Sequence, residues 1–216
     1  MNDKIKKQLI SFFEKNELVK YKKGQIIFKP GDKISGVLFD KSGYVRVYKV
    51  AKDGKEITLP MLKPLFFCSL TDVLLKKENA YYIEAISPVE FWMSPEKEFV
   101  EYLEKDVELD RKLNKILLSD FVDLTNNIQH LVFGDACAKI ASLIYNMSTK
   151  FGEKRDKEET IIDFNTPHRI LASMTGLTRE TVTLQILKLQ KEGILYNKGR
   201  KIVIKDTERL REKAQI

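Results

Sequence analysis

Between residues 20 and 92 the apolar positions come in short runs and strict alternations, each closed by a turn signal. Ile26-Ile27-Phe28 lies between Lys23-Gly24 and Pro30-Gly31-Asp32. Val37-Leu38-Phe39 ends at Ser42-Gly43, and Tyr44 to Tyr48 then alternates with polar Arg46. Lys52-Asp53-Gly54-Lys55 predicts a hairpin, because Asp-Gly supplies the positive-φ positions such a turn needs. Ile57-Thr58-Leu59, Tyr81 to Ile86 and Val89 to Trp92 complete a set of closely spaced strands, a pattern that predicts an antiparallel barrel or sandwich. The N-terminal stretch, with charges on both sides of a short apolar face, predicts an amphipathic helix.

The period changes at Ser94-Pro95-Glu96, which predicts a helix start with Ser94 as N-cap and proline in the first turn. A longer helix is predicted from about Val107 to His130. Leu113, Leu117, Phe121, Leu124, Ile128 and Leu131 are spaced 4, 4, 3, 4 and 3, an a/d seam with Asp120, Asp123, Asn126 and Asn127 off it. So narrow a stripe either packs on its own domain or pairs with the same stripe of a second copy. Residues 136–145 are again helical, and Ile161-Ile162-Asp163-Phe164 predicts a short strand.

The last third carries two short helices joined by a tight corner. Thr166-Pro167 opens the first, and Thr175-Gly176-Leu177 forms the turn, with Gly176 free to adopt the left-handed conformation. Thr178 caps the second, which runs to Gly193. Ile170, Leu171 and Met174 are spaced to pack against Val182, Ile186 and Leu189. A hairpin follows, Ile194 to Tyr196 and Arg200 to Ile204 about Asn197-Lys198-Gly199. Together these make a winged helix-turn-helix.

Charge sharpens that reading. The chain of 216 residues has a formal net charge of +7, and residues 139–216 hold 16 Lys/Arg against 10 Asp/Glu. Residues 1–107 hold 19 against 16. A basic C-terminal third suits a polyanion, and a helix-turn-helix there points to duplex DNA. Arg179 is suited to a guanine edge and Glu180 to a cytosine amino group, with Thr183 and Gln185 as further candidate base contacts. Thr166, His168, Thr178, Lys188, Lys198, Arg200 and Lys201 are candidate phosphate contacts, which position without specifying.

Several classes of function are excluded. No run of about 18 apolar residues exists to span a membrane, and the N-terminus lacks a secretory h-region, so the chain reads as cytoplasmic. Cys68 and Cys137 are too few for an iron–sulfur cluster, and His130 and His168 too few for a dedicated metal site; no cofactor is expected. No histidine occurs in residues 1–106, which argues against a barrel metalloenzyme, and no nucleophile–base pair suggests catalysis.

The stretches KKGQIIFKPGD, GVLFDKSGYVRVYKVAKDGKEITL and TGLTRETVTLQILKLQKEGIL are similar to the CRP/FNR family of bacterial transcription regulators, over nearly the whole chain. The resemblance implies an α+β protein. Residues 1–106 would form an antiparallel β-roll of the cupin-like, cyclic-nucleotide-binding type, and residues 107–138 a long dimerisation helix and hinge. Residues 139–216 would be a winged helix that binds a palindromic operator as a homodimer. RNA polymerase is the further partner the resemblance implies. The competing reading is a ligand-sensing regulatory module that does not bind DNA.

Where cyclic-AMP-binding members of the family carry Gly-Glu and Arg-Ser to hold the ribose and the cyclic phosphate, this chain has Cys68-Ser69 and Asn79-Ala80. A phosphate without its cation in a partly dry pocket loses several kcal/mol, so cyclic AMP is not the expected ligand. Met61, Phe66, Phe67, Cys68, Ser69, Asn79, Ala80, Tyr81, Tyr82 and Leu124 are instead candidates to line a pocket for a small apolar effector. The alternative is that they simply fill the barrel. Many members also have arginine five positions after the Arg179 equivalent, where this chain has Leu184.

Overall fold

The computed structural model describes residues 3–155, 159–162 and 167–215, without the side chains of residues 120, 123, 126, 127 and 129–133. Thr166, the Asp163-Phe164 end of the expected strand, and the side chains of His130 and Leu131 therefore lie outside the described residues. The chain forms two compact units, residues 1–121 and 122–216.

The first unit runs α1 (Asp3–Phe13), β1 (Glu17–Tyr21), β2 (Ile26–Phe28), β3 (Gly36–Ser42), β4 (Val45–Val50), β5 (Glu56–Leu62), α2 (Leu70–Leu75), β6 (Tyr82–Ala85), β7 (Val89–Pro95), α3 (Glu96–Lys105) and the start of α4 (Val107–Phe133). Its strands make two antiparallel sheets, ordered β1-β7-β3 and β2-β6-β4-β5. The Asp-Gly hairpin joins β4 to β5, with Gly54 at φ +81 and the Asp53 carboxylate accepting from the Lys55 backbone. Gly43 is required where β3 turns into β4: its φ is +101, and a Cβ there would sit 2.2 Å from the Pro88 carbonyl oxygen.

β3 shows how the unit is layered. Gly36 to Asp40 are all buried, because the strand is covered on both faces. Val37 and Phe39 point to a core built with Ile5, Leu9 and Phe13 of α1, Phe99 of α3, and Leu109 and Leu113 of α4. Leu38 points the other way, to a core with Ile27, Val45, Ile83 and Phe91, drawn from both sheets. Aromatic rings dominate the first core, Phe13 stacking on Phe39 at 4.9 Å and Phe12 on Tyr102 at 4.1 Å between centroids.

Two expectations are corrected here. Ser94 does not cap α3; it is buried at the end of β7, and Pro95, in extended conformation, precedes the first helical residue. Leu113 does not belong to an open seam. It is 6% exposed and packs in the α1–α3–α4 core, so the first residue of the heptad pattern serves the unit's own interior. The helix leaves that core as it advances, and Leu117, Phe121, Leu124 and Ile128 are 45–65% exposed. Leu118 and Val122, off the expected seam, are equally bare.

Charge is also buried. Arg46 on β4 is 2% exposed, between Glu84 at 2.7 Å and Glu56 at 2.8 Å, with its guanidinium 4.1 Å from the Tyr48 ring centre. Burial works against its charge, but the hydrogen bonds to both carboxylates outweigh it and hold the pKa above the ordinary value. Asp40 is the opposite case. It is fully buried and neither carboxyl oxygen has a hydrogen-bond partner. Burial raises its pKa to about 7, only partly opposed by the nearby Ser42 backbone.

The second unit contains the end of α4, then α5 (Ala136–Phe151), β8 (Gly152–Lys154), β9 (Thr160–Ile162), α6 (His168–Thr175), α7 (Arg179–Lys191), β10 (Leu195–Lys198), β11 (Lys201–Ile204) and α8 (Thr207–Ala214). Its antiparallel sheet is ordered β10-β11-β9-β8. Asp135 caps α5 by accepting from the Ala138 backbone at 2.8 Å. Neither α2 nor α8 is foreshadowed by the pattern.

The Asp40 carboxyl generates a test. Its proton is held in the folded state up to about pH 7 and released near pH 4 when unfolded, so the stability it contributes is complete below about pH 4 and lost as pH rises to 7. Asp40→Asn is expected to remove that dependence, so its stability relative to the parent rises between pH 4 and 7 by up to about 4 kcal/mol. Urea denaturation at several pH values measures it, and parallel curves for the two proteins would refute the assignment.

Candidate nucleic-acid interface

The corner between α6 and α7 is built as the residue pattern predicts. Gly176 sits at φ +69, and the Thr178 side chain accepts from the Thr181 backbone at 3.2 Å to cap α7. Ile170 and Leu171 of α6 are buried, as are Val182, Ile186 and Leu189 of α7. α7 packs against both α6 and α5, where Ala138, Ile140, Ala141 and Ile144 present a buried face. The far end of α7 is held by α8: Arg209 donates to the Glu192 carbonyl at 3.0 Å, and Lys213 pairs with the Glu192 carboxylate at 2.7 Å. The helix that would read is thus anchored at both ends and along one side.

Its other side is bare. Arg179, Glu180, Leu184, Leu187, Lys188 and Lys191 are all exposed. Thr183 and Gln185, the other expected base contacts, are half-buried at the margin. The Thr183 hydroxyl donates to the Arg179 carbonyl at 2.9 Å and lies 2.8 Å from His168 Nδ1. That hydroxyl has one proton, so donation to the carbonyl makes it the acceptor from a protonated Nδ1. Burial lowers the His168 pKa, and the neighbouring Arg179 charge adds to the shift. His168 therefore ties α6 to α7 as well as standing beside the expected DNA surface.

Lys198 and Arg200 are exposed at the tip of the β10–β11 hairpin, and Lys201 is half-buried beside them. The structure adds residues that the linear reading did not single out. Lys154 and Arg155 join Glu153, Ile161, Lys198 and Lys201 around an open groove of about 430 Å³. They are more than 40 positions from the wing in sequence and reach it only because β9 pairs with both β8 and β11.

In the barrel, the expected effector residues lie in several different surroundings. The Ser69 hydroxyl donates to the Gly36 carbonyl and accepts from the Leu38 backbone, at 2.9 and 3.0 Å. The Asn79 carboxamide donates to the Lys29 carbonyl at 2.8 Å and the Tyr81 carbonyl at 2.5 Å, and accepts from the Tyr81 backbone at 3.2 Å. Phe67 faces the helix-side core and Phe66 the inter-sheet core, so adjacent residues point to different compartments. Met61 is buried, Ala80 is exposed, Tyr82 stacks on Tyr48, and Tyr81 lies under Lys49. Cys68 is buried with its thiol pKa pushed up by burial and by Asp40 and Asp72, the reverse of a reactive cysteine. Leu124 belongs to the second unit. Among the described residues no group of three or more His, Cys, Asp or Glu could hold a metal ion, and no helix is long and apolar enough to cross a membrane.

Two family models match. A cyclic nucleotide-binding domain covers residues 18–106, and a Crp-like helix-turn-helix domain covers residues 138–213. Transcriptional regulator SdrP of Thermus thermophilus is 28% identical over 204 residues, 92% of this chain and 95% of that protein. The global nitrogen regulator of Nostoc sp. (strain PCC 7120) is 26% identical over 186 residues, 85% of this chain and 83% of that protein. A solved transcriptional regulator of the CRP/FNR family, also from Thermus thermophilus, superposes with a TM-score of 0.72 at 26% identity, over 93% of this chain and 99% of that one. Such proteins are transcription regulators and not enzymes. A barrel of the cyclic-nucleotide-binding type, and after it a capped, outward-facing helix and a basic wing, are thus matched over residues 18–106 and 138–213, and the protein belongs to the CRP/FNR family of DNA-binding transcription regulators.

Proposed function

We propose that this regulator acts as a homodimer on a palindromic operator, that α7 enters the major groove, and that cyclic AMP does not control it. The observation that carries the reading is the outward face of α7, bare of its own domain and set among cations. Docked by its first turns, the helix brings Arg179 and Glu180 to base edges. The exposed Lys188, Lys198 and Arg200 would then contact phosphates, which position without specifying. Selection of bound sequences from a random duplex pool tests the reading; enrichment of an inverted repeat supports it, and no enrichment defeats it.

Dimerisation is supported by the exposed apolar side chains of Leu117, Phe121, Leu124 and Ile128 on α4. Two copies joined there would present two α7 helices, and their half-sites must lie about one helical turn, roughly 34 Å, apart. Leu124→Asp is expected to yield a monomer with little operator affinity. Sedimentation that shows an intact dimer for this variant would remove the seam from the account.

Insensitivity to cyclic AMP is supported by the hydrogen bonds of Ser69 and Asn79. Both side chains are occupied by the backbone, and neither provides the cation a cyclic phosphate needs. Titration calorimetry is expected to detect no binding at micromolar cyclic AMP, and saturable micromolar binding would overturn this. RNA polymerase is the further partner proposed, on the family resemblance alone.

Arg179→Ala tests the base contact. The expected result is relaxed preference at one base pair of each half-site, worth about 1–3 kcal/mol. An equal loss of affinity on every sequence would instead make Arg179 a phosphate contact.

A further inference from the structure

Leu184 is 64% exposed and Leu187 is 47% exposed, three residues apart on the same side of α7. One exposed leucine on a protein surface needs no explanation. This pair stands opposite the buried Val182-Ile186-Leu189 stripe, since Leu184 is turned by about 200° from Val182 at 100° per residue. On the same side of the helix the exposed basic residues are Lys188 and Lys191, with Glu180 as the one exposed acid of α7. A cationic rim selects a polyanion as occupant, and a leucine can bond neither a phosphate nor a donor–acceptor edge. The apolar feature that duplex DNA offers in its major groove is the C5 methyl group of thymine.

We propose that Leu184, backed by Leu187, is a specificity-determining residue that packs on a thymine methyl group in each half-site. The inference rests on the reading of α7 as the groove-entering helix. Leu184 lies five residues beyond Arg179, about 7.5 Å along the helix axis. With a turn of about 140° about the axis at 100° per residue, that separation keeps the thymine off the pair read by Arg179. The arrangement gives a half-site with a hydrogen-bonded position and a methyl-read position, and methyl contact needs no buried polar partner on the protein side.

The test uses the full-length dimer and the operator it enriches from a random pool. Each thymine of the half-site is replaced in turn by deoxyuridine, which removes the methyl group and keeps the pairing. At one position per half-site, uracil is expected to weaken binding about fourfold, the equivalent of burying one methyl group at about 0.8 kcal/mol. Leu184→Ala is expected to bind thymine and uracil there equally, and to lose the thymine preference in a fresh selection. Because Leu184 is exposed, the variant should melt with the parent, which a thermal scan checks. No uracil effect at any position, or the same uracil penalty in the Leu184→Ala protein, overturns the assignment and leaves the leucine pair to a protein partner. Failure of the parent protein to enrich any sequence would overturn the reading of α7 itself, a different outcome from enrichment without a methyl effect.

Discussion

A helix that reads another molecule must be held by its own domain on one side and left bare on the other. In α7 that division is set by three side chains, Val182, Ile186 and Leu189, buried against α5 and α6. Their burial fixes the roll of the helix about its axis, and the roll decides which residues face outward. Rotate the stripe by one position and Arg179, Glu180 and Leu184 would turn by about 100°. The left-handed corner at Gly176, the Thr178 cap and the Glu192 clamp to α8 then fix where the helix starts, how it enters and where it stops. The packing contributes stability and orientation together, and the exposed face contributes only what it can offer a partner.

The barrel solves a different problem with the same economy. β3 is covered on both sides, so every residue from Gly36 to Asp40 must be apolar, bonded or neutral. Ser69 meets that demand by bridging the Gly36 carbonyl and the Leu38 backbone, and Asn79 by closing the turn that links residues 29 and 81. Asp40 meets the demand by keeping its proton, at a cost in stability that grows between about pH 4 and 7.

Much of this was legible in the residue order. Strand alternation, the Asp53-Gly54 hairpin, the Gly176 corner and the buried triad of α7 are local patterns, and the structure contains them. What was not legible depends on what lies across the fold. Leu113 and Leu117 are equivalent on a heptad, yet Leu113 is enclosed by α1 and α3 whereas Leu117 has passed beyond them. Ser94-Pro95 has the composition of a cap, but the pairing of β7 with β3 continues through both residues and keeps the backbone extended. Lys154 and Arg155 read as part of a solvated charged loop, and only the β8-β9-β11 pairing sets them beside the wing.

Residue order alone determined the succession of a strand-rich unit, a long helix and a basic winged helix, because period, caps and turns act between neighbours in the chain. It also determined that residues 1–106 hold no histidine, since folding cannot supply a side chain the sequence lacks. Tertiary structure decided between apolar residues that the pattern leaves equivalent. Leu113 and Leu117 share one heptad face, and only packing against α1 and α3 buries the first while leaving the second in solvent. Burial depends on three-dimensional neighbours, and those are set by contacts distant in sequence.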